Sequence, residues 1–235
     1  MIKNILFDLD GTLLPMDQDV FVRAYFKRLA VKLMPYGYEP KALEKAIWTG
    51  TGAMVMNDGE VTNEEAFWKC FSGIFGEKVL EDKAIFEDFY KNEFNEAKEV
   101  CGCNPKAKEA VETLKNMGYR LVLATNPIFP QVATYNRANW AGIDVNDFEM
   151  VTTYENCHYC KPNPKYYGEI VKILSLDPTE CLMVGNDVSE DMVAESLGMK
   201  VFLHTDCLIN KNDDDISKYP NDGFNELIQY VKGLK

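Results

Sequence analysis

Residues 5–14 read Ile-Leu-Phe-Asp-Leu-Asp-Gly-Thr-Leu-Leu. Ile5, Leu6 and Phe7 make a short apolar run, the pattern of a strand covered on both faces in a parallel sheet. Asp8 and Asp10 follow at its C-terminal end, and Gly11 and Thr12 supply the break. In an extended chain, residues two apart point to the same side, so both carboxylates can face one pocket. Two like charges that close repel, and each is driven toward its neutral form unless a cation is shared between them. A hard divalent ion with oxygen ligands relieves this, and Mg2+ fits best. Ligands of open α/β sheets bind just beyond the carboxyl ends of strands, which is where the two aspartates fall. The same residues also suit a surface turn whose aspartates cap the break, as Asp-Gly often does.

Working outward, the whole chain of 235 residues is long enough for one large domain or for a core with a smaller companion. Its 46% hydrophobic and 26% charged residues are ordinary for a soluble globular protein. A formal net charge of -12 argues against nucleic acid or an anionic membrane as partner. An anionic small substrate remains open, because a metal can set the local sign. The apolar run after Lys3 is too short for a signal segment, and no stretch approaches membrane-spanning length. Seven cysteines, an odd number, fit a reducing compartment better than a disulfide scaffold. The expectation is a soluble cytoplasmic protein.

From about Asp17 to Ala97 the pattern is helical, with no strand. Helices are expected over Val20–Met34, over Lys41–Trp48 with a stop at the Gly50–Gly52 break, from an Asn63 cap toward Gly73 or Gly76, and over Glu81–Asn95. The aromatic residues among them read as packing. From Val100 onward helices and strands alternate, which implies a parallel sheet. Asn104-Pro105 opens a helix through Lys115, and strands are expected at Leu121–Ala124, Phe148–Thr153, Cys181–Val184 and, as the last, Val201–Leu203. Asn163 caps a helix over Pro164–Leu174, another helix ends near Gly198, and a final one covers about Phe224–Val231.

Three later strand ends carry polar residues suited to the same site. Thr125 and Asn126 offer a hydroxyl, an amide and backbone N–H groups to a phosphate, although Thr-Asn-Pro also serves simply as a turn. Lys161, held extended by Pro162, can bring a positive charge to a phosphoryl oxygen, although Lys-Pro is usually just a loop. Asn186 and Asp187 lie where a strand gives way to a helix, with Asp191 one turn on; Asp187 serves either as a metal ligand or as an N-cap in a box with Glu190. The pairs Cys157-His158-x-Cys160 and Cys101-Gly-Cys103 lack the C-x-x-C spacing of a structural zinc site and read as free thiols.

Taken in order, Asp8-x-Asp10-Gly11-Thr12, Thr125, Lys161 and Gly185-Asn186-Asp187-x-x-x-Asp191 resemble the four motifs of the haloacid dehalogenase superfamily. The resemblance covers residues 1–16 and 98–203. It implies a Rossmann-like parallel-sheet core with helices on both faces, formed by residues 1–16 and 98–235. It also implies a helical C1-type cap over residues 17–97, inserted after the first strand, as in the branch that includes phosphoglycolate phosphatases. Dehalogenases proper lack the second aspartate of the first motif, so Asp10 argues for phosphate rather than carbon–halogen chemistry.

What the resemblance implies is a Mg2+-dependent phosphatase of a small phosphorylated metabolite, working through an aspartyl-phosphate. Asp8 is then the nucleophile, and Asp10 the general acid and base, whose backbone carbonyl also ligates the metal. Thr125 and Asn126 hold the phosphoryl group, and Lys161 offsets charge on it and on Asp8. Asp8 and Asp187 are metal ligands; Asp187 is favoured over Asn186 because a carboxylate binds Mg2+ better than an amide. Asn186 is the alternative ligand, and Asp191 a supporting residue that orients Lys161. The same site also suits a phosphosugar mutase, or a phosphonate hydrolase if one of Lys27, Lys32, Lys41 and Lys45 forms a Schiff base. A non-catalytic binding or regulatory protein that keeps the fold is the reading from another class.

Overall fold

The computed structural model describes residues 1–234. Strand β1 (Asn4–Phe7) is followed by helices α1 (Gln18–Leu33), α2 (Pro40–Val55), α3 (Asn63–Phe75) and α4 (Lys83–Lys91), then a 3-10 segment at Glu93–Val100. Helix α5 (Pro105–Asn116) opens an alternation with β2 (Arg120–Leu123), α6 (Gln131–Trp140), β3 (Met150–Val151), α7 (Pro164–Leu174), β4 (Cys181–Gly185) and β5 (Lys200–His204). Strand β6 (Asn221–Asp222) and helix α8 (Phe224–Gly233) end the chain. Among the described residues, six strands form one sheet in the order β3-β2-β1-β4-β5-β6, and every pairing is parallel. This is the α/β architecture that the alternation implies.

Alternation along each strand builds two apolar layers. Ile5 and Phe7 of β1, Leu121 and Leu123 of β2, and Leu182 and Val184 of β4 pack with α5, α6, α8 and the helices of residues 18–91. Leu6, Val122 and Met183 face the other way, toward Tyr166, Tyr167 and Ile170 of α7. Helices thus cover both faces, which is why the strands read as continuous apolar runs. No helix among the described residues is long and apolar enough to cross a membrane.

Several boundaries differ from those expected. Helix α2 does not stop at Gly50 but continues to Val55, because Gly50 is a contact point: a methyl there would lie 2.6 Å from the Phe67 ring of α3. The cap of α3 is Thr62, in a reciprocal box with Glu65; Asn63 is instead buried in the first turn and donates to the Pro127 carbonyl at 3.2 Å. The expected helix over 81–95 breaks at Asn92, whose amide bonds the Asp88 carbonyl and carboxylate and so competes with the helical ladder. Strand β3 is only two residues long, because the Asn156 side chain bonds the main chain of Val151 and Thr153 and ends the ladder. The segment before Gly198 is a 3-10 turn at Met192–Leu197 rather than a regular helix. Beyond β5 the polar pair Asn221–Asp222 adds an edge strand that has no apolar signature.

Candidate active site

Strand β1 lies between β2 and β4, so Asp8 emerges where two neighbouring strand ends flank it. Its N–H donates to Val184 O at 2.9 Å, while Ala124 N donates to Phe7 O at 2.7 Å. The strand stops at Phe7, and Leu9–Leu14 form a tight turn in which Gly11 N donates to Leu14 O and Leu14 N to Leu9 O, both at 2.8 Å. Asp10, inside this turn, is therefore aimed by the turn and not by strand alternation, whereas Asp8 still follows the β1–β4 ladder. Gly11 has φ +88°, and a side chain there would strike the Asn186 amide at 2.3 Å. The motif glycine thus serves both the turn and the approach of the β4 loop.

Lys161 gathers the acidic groups. Its Nζ lies 2.8 Å from Asp8 Oδ1 and 2.7 Å from Asp191 Oδ1, with all three side chains buried. Burial opposes its charge, but Asp191 and Asp8 outweigh it and hold the ammonium well above the usual lysine value. Burial also pushes the Asp8 carboxyl up to about 8, against the pull of Lys161 and with added repulsion from Asp191 and Asp10. A carboxylate so placed needs further positive charge to stay ionised near neutrality.

Asp191 faces two ways. Its second oxygen accepts the Asp187 N–H at 3.0 Å, and a side chain at Gly185 would strike it at 2.1 Å. Asp187 Oδ1 accepts from Ser189 N at 2.8 Å and Glu190 N at 2.9 Å, so one of its oxygens caps the turn. Asn186 donates to Cys207 O at 2.6 Å, and its Oδ1 accepts the Thr12 hydroxyl at 3.1 Å; that hydroxyl also lies 3.4 Å from Asp8 Oδ2. Asn186 is therefore coupled to the first motif through Thr12, a residue to which sequence reasoning gave no part beyond the turn.

Thr125 follows β2, where the register pairs Leu123 with Phe7, so its backbone leaves the sheet beside that of Asp8. Its carbonyl accepts from Thr152 Oγ1 at 2.6 Å and Tyr166 OH at 2.9 Å. Asn126 braces the loops: its amide donates to Glu190 at 3.0 Å and its oxygen accepts Lys161 N at 3.3 Å. Desolvation pushes Glu190 up to about 7. Asp10 turns from the Lys161 cluster toward Arg137 of α6, whose Nε lies 3.0 Å from its Oδ1. Arg137 escaped sequence reading because nothing in a helix pattern marks an arginine as buried. A cavity of about 90 Å³ lies between Tyr25, Trp68 and Tyr90 on one side and Phe129, Pro130 and Tyr154 on the other.

Among the described residues no three Asp, Glu, His or Cys side chains converge as a metal cage. The available donors are the carboxylates of Asp8 and Asp187, the Asp10 carbonyl and the Asn186 amide oxygen. An all-oxygen set with few carboxylates, next to a buried acid that needs a counter-charge, fits Mg2+, which keeps several of its waters.

A buried carboxylate–lysine cluster at the central strand ends of a parallel sheet defines an α/β enzyme with its site at the topological switch point. A family model described as haloacid dehalogenase-like hydrolase matches residues 2–198, and the chain belongs to that family of hydrolases. It is 28% identical over 203 residues to a phosphoglycolate phosphatase of Vibrio vulnificus, covering 86% of this chain and 82% of that one. Among solved structures it resembles a HAD phosphatase from Thermococcus onnurineus, with TM-score 0.60, 21% identity and 99% of each chain covered. It also resembles a 2-haloacid dehalogenase from Pseudomonas syringae pv. tomato, with TM-score 0.64, 17% identity and 100% of each chain covered.

Proposed function

We propose that the protein is a Mg2+-dependent phosphatase of a small phosphorylated metabolite, acting through a phosphorylated Asp8. The observation that carries this reading is the Asp8–Lys161–Asp191 cluster, with Asp10 two residues on and paired elsewhere. Asp8 attacks phosphorus in line with the departing oxygen, and Asp10 protonates that oxygen and then deprotonates the water that cleaves the acyl phosphate. Lys161 draws Asp8 toward its ionised form and offsets charge on the phosphoryl oxygens, which Thr125 and the backbone beside it hold. Asn126, braced between Glu190 and Lys161, fixes the shape of that loop.

Mg2+ fits the oxygens of Asp8, Asp187 and the Asp10 carbonyl, with Asn186 as the alternative ligand and Asp191 behind Lys161. Bound there, it supplies charge neutralisation between the phosphate and the attacking carboxylate. Residues 1–16 and 98–235 act as the core, and residues 17–97 as a cap that admits the substrate. Phosphoglycolate heads the substrate panel because several similar curated proteins carry that name.

The test is phosphate release from a panel of phosphometabolites with and without Mg2+. Wild type is expected to release phosphate only with the metal, Asp8→Asn to release none, and Asp10→Ala to lose about 10²- to 10⁴-fold in turnover while keeping its fold. Full activity of Asp8→Asn would end the covalent reading.

A further inference from the structure

Arg137 is fully buried on α6, and its guanidinium carbon sits 4.3 Å from the centre of the Phe129 ring. Its Nε approaches Asp10 Oδ1 at 3.0 Å, the one ion pair that it makes among the described residues. That contact joins charges without hydrogen-bond alignment: Nε, Nη1, Nη2 and Asp10 Oδ1 are all buried and have no hydrogen-bond partner. A buried cation with three unpartnered nitrogens is expensive to keep, and an aliphatic side chain at this helix position carries no such cost. The acid that it pairs with among the described residues lies two residues from Asp8. Its contact with the Phe129 ring supplies no counter-charge.

We propose that Arg137 is a positioning residue that holds the Asp10 side chain by one oxygen and leaves the other free to exchange protons with the leaving group and the attacking water. The inference rests on the reading of Asp10 as acid and base. As the Asp8–phosphorus bond forms and the ester P–O bond breaks, the Asp10 carboxyl gives its proton to the departing oxygen. When water then adds to phosphorus and the Asp8–phosphorus bond breaks, the Asp10 carboxylate takes the proton of that water. The guanidinium is held 4.3 Å over the centre of the Phe129 ring, so Asp10 cannot drift without losing the charge partner it has among the described residues.

A group that acts through a general acid matters most where the leaving group is poor. The experiment compares kcat/KM for benzyl phosphate and 4-nitrophenyl phosphate, esters of similar size whose leaving groups differ widely in basicity, with Mg2+ present. Arg137→Met is expected to lose about 100-fold on benzyl phosphate, the scale of a misplaced catalytic group, and under about fivefold on the nitrophenyl ester, whose phenolate leaves unaided. In an Asp10→Asn background the same change is expected to add less than about twofold, because nothing remains for it to position. Arg137→Lys, which keeps the charge and loses the fork, is expected to fall between wild type and Arg137→Met; it carries the comparison if the methionine variant does not fold, as read by circular dichroism.

Equal losses on both esters, or a full loss added to Asp10→Asn, overturn the inference and assign Arg137 to substrate binding or to the fold alone. An Asp10→Asn enzyme that treats the two esters alike refutes the acid–base reading itself, and the inference with it.

Discussion

Asp8 is buried with a lysine on one side and a second aspartate beyond it, and burial raises its carboxyl to about 8. Protein alone therefore leaves the proposed nucleophile partly protonated near neutrality. A bound divalent cation needs the ionised form, so metal binding must displace that proton. The sign follows. Below about pH 8 the proton competes and affinity falls with falling pH; above it the carboxylate is already free and affinity levels off. Calorimetric titration with Mg2+ is expected to show affinity about tenfold weaker or more at about pH 6 than at about pH 9, with proton release at the lower pH. Asp8→Asn is expected to abolish the slope. A flat profile in the wild type would remove Asp8 from the ligand set.

At the scale of elements, α2 shows how one residue type serves opposite ends. Gly50 is buried where α2 crosses α3, and a methyl there meets the Phe67 ring, itself stacked on Phe71 with centroids 5.3 Å apart. Gly52, two residues on, is exposed, with nothing within 4 Å of an added methyl. Gly50→Ala is expected to destabilise by about 1–3 kcal/mol through overpacking. Gly52→Ala is expected to stabilise by about 0.5–1 kcal/mol, since the helix loses only a flexible residue. Thermal melts of the two variants check the pair, and shifts of the same sign would refute the packing argument. Sequence pattern read both glycines as a helix stop, because the spacing of glycines says nothing of what lies against them.

At the scale of the whole molecule, one apolar cluster runs from the sheet residues Ile5 and Phe7 through Phe21, Tyr25 and Phe89 to Phe71 and Phe86 in the helical segment. Phe129, which leads into α6, has edge contacts with Phe21 and Tyr25, at centroid distances of 6.3 and 5.6 Å. Sheet and helical segment share buried surface, so each loses part of its core if the other unfolds. Denaturant unfolding followed by tryptophan fluorescence reports Trp48 and Trp68 in the helical segment and Trp140 on α6. It is expected to coincide with far-ultraviolet circular dichroism in one transition. Two separated transitions would mean that the shared cluster does not couple the parts.

Sequence alone determined the parallel α/β core and the positions of Asp8, Thr125 and Asp187 just past the ends of β1, β2 and β4, because apolar runs, alternation and strand breaks are local properties of the chain; Lys161, read as a strand-end residue, lies instead ten residues beyond β3 in the loop before α7. The helical character of residues 18–91 was legible for the same reason. Tertiary structure decided what local pattern does not carry. It turned Asp10 to Arg137, tied Asn186 to Thr12, spent one Asp187 oxygen on a turn, and made Gly50 a helix crossing. Each of these depends on atoms brought together from distant parts of the chain, and a buried charge or a close approach exists only once the partner is in place.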